Sequence, residues 1–381
     1  MQIFSKLSES ETVVSSARLR ETSGPKAPRP DHRHDKALDG LRWFAFLGVF
    51  LFHANERWFP YGKTGVQVFF VLSGFLIGRI LLNLKAQQNI PFHQHLKTFY
   101  IRRALRIFPL YYAVLGMIFI LPHLGITSVG RQHLLPWHAA YLTNYYIFRT
   151  HEKIDSHTHF WSLDVEEHFY LLAPLLILLL PWKRIERGMI GLWITIATLR
   201  LLNFFVFRNI YFDYLSPMQF DILTIGIAAA IIEKTGAFYR ITYSHLLSLG
   251  KFCGLAFLAI LCCSYGQLRI PQFVDTVLLP WILAVGSAAL VLGLWAGSFQ
   301  TLGRFLSRPI FVYLGKISYG LYIFHNFSFI IGRNATGLKH ILLNVAALSA
   351  TIIIASLSWH LFENPVNRLK RFFPYSTSLL N

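Results

Sequence analysis

The sequence predicts an all-α integral membrane protein, with about ten transmembrane helices packed around a polar cavity and both termini on the cytoplasmic side. Three observations predict it. Of 381 residues, 54% are hydrophobic and only 14% are charged, with a mean hydropathy of +0.45, whereas a soluble domain carries about 25% charged residues. Apolar runs then recur with short polar breaks from Leu38 to about Phe362, many of them long enough to cross a bilayer. Finally, Lys and Arg outnumber Asp and Glu by 36 to 18 and lie mostly between those runs. With ten helices drawn, 24 basic residues fall on one set of alternate loops and helix ends and 9 on the other, the asymmetry that keeps basic loops in the cytoplasm. The membrane therefore accounts for the basic charge, and no nucleic-acid partner is expected.

Residues 1–37 are rich in Ser, Glu, Pro, Arg and His and hold no apolar core of a secretory signal, so they read as a disordered cytoplasmic tail. The expected helices cover 41–58, 65–82, 107–124, 163–182, 189–207, 217–233, 250–266, 276–297, 310–332 and 341–362. Residues 364–381 follow as a short cytoplasmic tail, leaving 38–363 as one membrane domain. Cys253, Cys262 and Cys263 share one apolar stretch, without the spacing of a metal site or a disulfide framework. Several runs are more polar than a simple anchor: the first is bracketed by Arg42 and His53, and the fourth opens with Ser162, Asp164, Glu166 and Glu167. Ionisable groups at such depth turn toward protein or a water-filled cavity. A cavity is therefore expected.

Arg42 and His53 differ by about 20° around the first helix and by roughly 16 Å along it, so they share a face. Arg42 belongs near the cytoplasmic surface and His53 in the outer half. The bland alternative has Arg42 reaching headgroups and His53 ending the helix. Arg103 and Arg106 are neighbours on one face where the third helix opens, and their forked guanidiniums suit phosphate oxygens, of a ligand or of lipid. Ser162, Glu166 and Tyr170 recur at four-residue steps, which lines hydroxyl, carboxylate and phenol along one stripe at the depth of His53. The acidic residues of that first turn would also be favoured by the helix dipole alone. His325 in the ninth helix and Asp221 at the start of the sixth reach the same outer depth. The outer loop 123–159 holds six histidines but no strong zinc spacing, so no metal is expected.

Six segments in register resemble the acyltransferase-3 family of membrane O-acyltransferases, over residues 37 to 366. They are Leu38-Asp39-Gly40-Leu41-Arg42 with His53, Gly65 to Ile77, Arg103/Arg106 with Pro109, His159-Phe160-Trp161-Ser162 to Glu166 and Tyr170, Ser318-Tyr319 to His325, and Glu363-Asn364-Pro365. The resemblance implies transfer of an acyl group, most often acetyl, from acyl-CoA to a hydroxyl of an envelope carbohydrate. Acyl-CoA would be a co-substrate, with no bound cofactor and no metal. It implies catalysis by His53 and Arg42, donor binding by Arg103 and Arg106, and a bacterial inner-membrane location. His53 would be the general base, or alternatively carry the acyl group covalently, while Glu166 would orient His53 or the acceptor. Trp161, Ser162, Tyr170, Tyr319, His325 and Asp221 would bind or orient substrate. One departure is Gln219, where the family often has Arg before the residue matching Asp221. The competing function is a transporter or flippase of a lipid-linked saccharide or small solute, although no repeated halves are visible.

Overall fold

In a bilayer a chain this apolar must satisfy its backbone polar groups internally, which favours helices. The computed structural model describes residues 33–87, 89–124, 132–152, 157–234, 239–265, 272–329 and 337–375, and among them there is no strand. The expected tail, residues 1–37, falls mostly outside these, as do residues 376–381. The helices are α1 (Arg33–Ala54), α2 (Gly65–Lys85), α3 (Phe92–His123), α4 (Leu135–Ala139), α5 (Thr143–Thr150), α6 (Phe160–Leu179), α7 (Trp182–Leu202) and α8 (Phe220–Lys234). After them come α9 (Tyr239–Tyr265), α10 (Leu279–Trp295), α11 (Gln300–Leu306), α12 (Pro309–Lys316), α13 (Ser318–Ser328), α14 (Gly337–Ser358) and α15 (Asn364–Arg368).

Seven helices among the described residues are long and apolar enough to cross a membrane: Lys36–Ala54, Gly62–Lys85, Phe92–His123, Trp182–Phe207, Ser216–Lys234, Val274–Trp295 and Gly337–Phe372. They coincide with seven of the ten expected spans. The other three differ for physical reasons. Helix α6 carries the carboxylates of Asp164, Glu166 and Glu167, and the apolar part of α9 shortens to Ser248–Cys262. The expected helix 310–332 is interrupted at Ile317, where α12 gives way to α13. Two starts also move: α1 begins at Arg33 rather than 41, and α3 at Phe92 rather than 107.

Small residues set the closest helix pair. Gly74 and Gly78 of α2 face Leu223, Gly226, Ile227 and Ala230 of α8, and a methyl group on Gly74 would collide with the carbonyl oxygen of Leu223. Backbones approach this closely only where side chains are missing. Around this pair lies one apolar core, containing Phe70, Phe75, Leu223, Ile227, Ala288 and Leu292. A second, richer in aromatics, joins α1, α3, α6 and α13 through Phe46, Phe50, Tyr111, Phe160 and Leu321. Large apolar side chains remain exposed on the outside, among them Phe119 and Ile120 on α3, Ile194 on α7 and Leu342, Val345 and Ile353 on α14. In water they would form an aggregation surface; against lipid they need no cover. The C-terminal end of α6 is closed by Lys85, whose ammonium donates to the carbonyls of Ile177 (2.7 Å) and Leu180 (2.5 Å).

Candidate active site

Between the two cores a cavity of about 380 Å³ is lined by residues of α1, α2, α3, α6 and α13, inside the range of small-molecule sites. Helix α2 presents Ser73, Leu76, Ile80 and Asn83 to it, at the three- and four-residue steps that define one helix face. Opposite, α6 presents Ser162, Glu166 and Tyr170, so the stripe read from the sequence does line one surface. Glu166 accepts a 2.5 Å hydrogen bond from the Ser73 hydroxyl and a 3.1 Å bond from the Tyr170 phenol. Tyr170 and Ser73 are themselves 3.2 Å apart, which closes a triangle. Glu166 is thus held by α2 and by its own helix, not by His53.

Four arginines line the cavity, and two are neutralised within the protein. Arg42 donates to Asp39 at 2.8 Å. Arg79 pairs with Glu233 at 3.2 Å and lies 3.7 Å over the Trp295 ring, whose Nε1 also donates to Glu233 at 3.0 Å. Arg103 and Arg106 have no ion pair among the described residues. Arg103 sits 5.6 Å from the Tyr170 ring and 5.7 Å from the Phe99 ring, with Nε buried and unpartnered. Arg106 is exposed, and it too lines the cavity. Two guanidiniums that face a cavity without a direct ion pair, with Glu166 and Glu167 elsewhere in the same lining, keep donors free for an anion. Because α3 begins at Phe92, they lie within a long helix, not at its opening as expected.

The cavity gathers Arg42, Arg103, Arg106, Ser162, Glu166, Tyr170 and Tyr319 of the expected site, but His53, Trp161, Asp221 and His325 are not among its lining. Its wall nearest the histidines carries Ser162 and Tyr322, whose hydroxyls are 2.6 Å apart. Behind Tyr322 stands His325, its Nδ1 donating to the Tyr322 carbonyl at 2.6 Å; a carbonyl only accepts, so Nε2 carries the lone pair, buried and unpartnered. The His325 ring lies 4.9 Å from that of His159 and 5.2 Å from that of His53. His159 is fixed by donation from Nε2 to the Ile323 carbonyl (3.1 Å) and by Asn326 donating to its Nδ1 (3.0 Å). His53 itself is exposed at the end of α1. Instead of one open chamber from arginine to His53, an aromatic and imidazole wall separates them.

Contacts within the fold hold Trp161, Asp221 and the cavity-lining Tyr319. Trp161 stacks edge-on against Phe70 (6.1 Å) and Tyr214 (5.2 Å). The Tyr319 hydroxyl donates to the Ile107 carbonyl at 2.8 Å, tying α13 to α3. Asp221 is buried and paired with Arg200, which also donates to the Met218 carbonyl at 2.7 Å. Gln219 instead donates to the Asp213 carbonyl at 2.8 Å, so the guanidinium partner of Asp221 comes from α7. Beside the wall, His138 and His157 meet edge-on at 5.4 Å. Burial pushes His138 down to about 3, with His157 adding to the shift, and pushes His157 down to about 4.

Sequence reasoning passed over Asp39, Ser73, Arg79, Asn83 and Glu167 as lining residues. A signal existed for Arg79, an ionisable residue inside an otherwise apolar helix. Ser73 and Asn83 are separated by ten positions on α2, nearly three turns, and needed only the same face counting that was applied to α6.

Curated relatives are similar to this chain over most of its length. A Staphylococcus aureus (strain COL) protein named as a candidate O-acetyltransferase is 28% identical over 367 residues, covering 88% of this chain and 58% of the relative. A candidate peptidoglycan O-acetyltransferase of Bacillus subtilis (strain 168), YrhL, is 28% identical over 367 residues, covering 88% and 55%. The O-acetyltransferase OatA of Staphylococcus aureus (strain NCTC 8325 / PS 47) is 25% identical over 366 residues, covering 88% and 58%. The chain spans a little over half the length of these curated relatives. No solved structure matches it. The model of the Acyl_transf_3 family, described as an acyltransferase domain, matches residues 35–360, which include every side chain placed at the site above, and the chain belongs to that family.

Proposed function

We propose that this protein is a membrane O-acyltransferase that moves an acyl group, foremost acetyl, from acyl-CoA to a hydroxyl of a cell-envelope carbohydrate such as peptidoglycan. The observation that carries the reading is the pair Arg103 and Arg106, facing the cavity with no direct ion pair among the described residues. They hold the phosphates of the donor. Arg42, tied to Asp39, lines the same cavity and steers the donor along α1. The thioester end points toward Ser162 and Tyr322, and His53 stands beyond them on the acceptor side.

His53 takes the proton of the acceptor hydroxyl as its oxygen bonds to the thioester carbonyl carbon. The carbon–sulfur bond then breaks and the imidazolium returns the proton to the departing thiolate. For this the thioester must pass the Ser162–Tyr322 wall, so the hydrogen bond between those hydroxyls opens during turnover. Glu166, fixed by Ser73 and Tyr170, acts on the donor side of the wall, where its charge balances the arginines.

Membranes containing the protein are expected to label a carbohydrate fraction from radioactive acetyl-CoA. His53→Ala should lower the rate about 10²-fold or more at unchanged protein level, while Arg103→Ala with Arg106→Ala should raise the donor KM and leave the acceptor KM alone. Label that survives His53→Ala removes the base. Donor saturation untouched by loss of both arginines removes the phosphate role.

A further inference from the structure

The segment after α14 folds back onto α3 beside the arginine pair. Arg102, the neighbour of Arg103 on α3, donates through Nη1 to the carbonyls of Lys370 and Phe373, both at 2.8 Å. Its guanidinium also lies 4.5 Å over the Tyr375 ring. These contacts use Arg102 as a latch and fix where Lys370 stands. The Lys370 ammonium donates to the Asn367 side chain and lies within electrostatic reach of the guanidiniums of Arg106, Arg103 and Arg102. An ammonium has three donors, so two remain. None of the four cations has an ion pair among the described residues. Like charges gathered this closely repel one another, and a bound polyanion relieves the repulsion.

Position separates their tasks. Arg103 and Arg106 line the cavity, whereas Lys370 and Arg102 are not among its lining. Along a coenzyme A thioester the acyl end comes first, then the diphosphate, then the 3′-phosphate of the ribose. With the acyl end inside the cavity, the cation set furthest out meets the phosphate set furthest out.

We propose that Lys370, held in place by the Arg102 latch, is the residue that selects a donor carrying a 3′-phosphate. This rests on the acyl-CoA reading above and names the part of the donor that the reading leaves open. Arg102 is a positioning residue in it. An anionic lipid headgroup offers the same phosphate chemistry, and the test separates the two.

The full chain is assayed in lipid vesicles with acetyl-CoA and with its 3′-dephospho analogue. Wild type is expected to show a KM about ten-fold lower for acetyl-CoA, the worth of one charge-assisted contact. Lys370→Gln should erase that preference by raising the KM for acetyl-CoA alone, with kcat unchanged, and Lys370→Arg should restore it. Arg102→Gln, which frees the segment without touching the ammonium, should erase it too. A Lys370→Gln protein that keeps the wild-type preference overturns the proposal, as does one whose KM rises equally for both donors. Replacing anionic with zwitterionic lipid should leave the preference intact; if the Lys370→Gln effect vanishes with the anionic lipid, the ammonium serves a headgroup and the proposal falls. Should wild type turn over neither thioester, the donor assignment itself fails, a result distinct from turnover without preference.

Discussion

At the scale of the residue, Arg200 and Asp221 illustrate how little a single position says about its own role. Asp221 reads in the sequence as an acidic residue at the depth of the site, and Gln219 stands where the resembled family often has Arg. The structure supplies that guanidinium from α7 and seals the pair inside, with Arg200 3% and Asp221 1% exposed. Removing one member strands the other charge, a loss of about 3–5 kcal/mol. Arg200→Met should therefore lower the melting temperature in detergent sharply, and Arg200→Met with Asp221→Asn should recover most of it. If the single and double variants melt alike, the pair is not the source of the cost. Glu166 makes the opposite point. Its four-residue spacing from Ser162 and Tyr170 was legible on α6, but its partner Ser73 lies 93 positions earlier, and no local pattern reports that contact.

At the scale of the element, apolar runs located every helix that, among the described residues, meets the length and composition of a membrane span, and they failed where a helix is not apolar. The first four turns of α3 hold His93, His95, Lys97, Arg102, Arg103 and Arg106, of which the lysine and arginines extend a helix readily, while none leaves a hydropathy signal. The interruption at Ile317 carries no proline to announce it; Gly315 just before it sits so close to α1 that an added methyl would collide with the Asp39 carbonyl. Glycines differ in the same way. Gly74→Leu should destabilise the α2–α8 pair by about 1–3 kcal/mol or more through overpacking, because the Leu223 backbone cannot retreat. Gly116→Leu on α3, where nothing lies within 4 Å, should melt like wild type or slightly higher. Equal melting of the two variants would mean that close approach does not limit that helix pair.

At the scale of the whole molecule, stability should depend on pH through the histidines behind the cavity wall. His138 and His157 rest neutral in the fold, at about 3 and about 4, while in the unfolded chain they titrate near 6.5. The unfolded state therefore binds more protons in between, so this contribution is complete above about 6.5, declines as pH falls and levels off below about 3. Melting followed from pH 7.5 to pH 4.5 should show a falling midpoint, and His138→Phe should flatten the fall. A slope unchanged in that variant would place the titrating groups elsewhere.

Composition and periodicity by themselves determined that this is an all-helical membrane protein, and the spacing of Arg103 with Arg106 and of Glu166 with Ser162 and Tyr170 determined which side chains share a helix face. Those are local facts: they depend on one helix turning by a constant angle, and the lipid demand for internal hydrogen bonding makes that helix nearly obligatory. Only the tertiary structure decided which faces meet. It set Glu166 against Ser73, paired Arg200 with Asp221, left Arg103 and Arg106 without a direct ion pair among the described residues, and stood a wall of Tyr322, His159 and His325 between the cavity and His53. Helix packing fixes these outcomes, through backbone approach at residues such as Gly74 and through contacts between positions far apart in the chain.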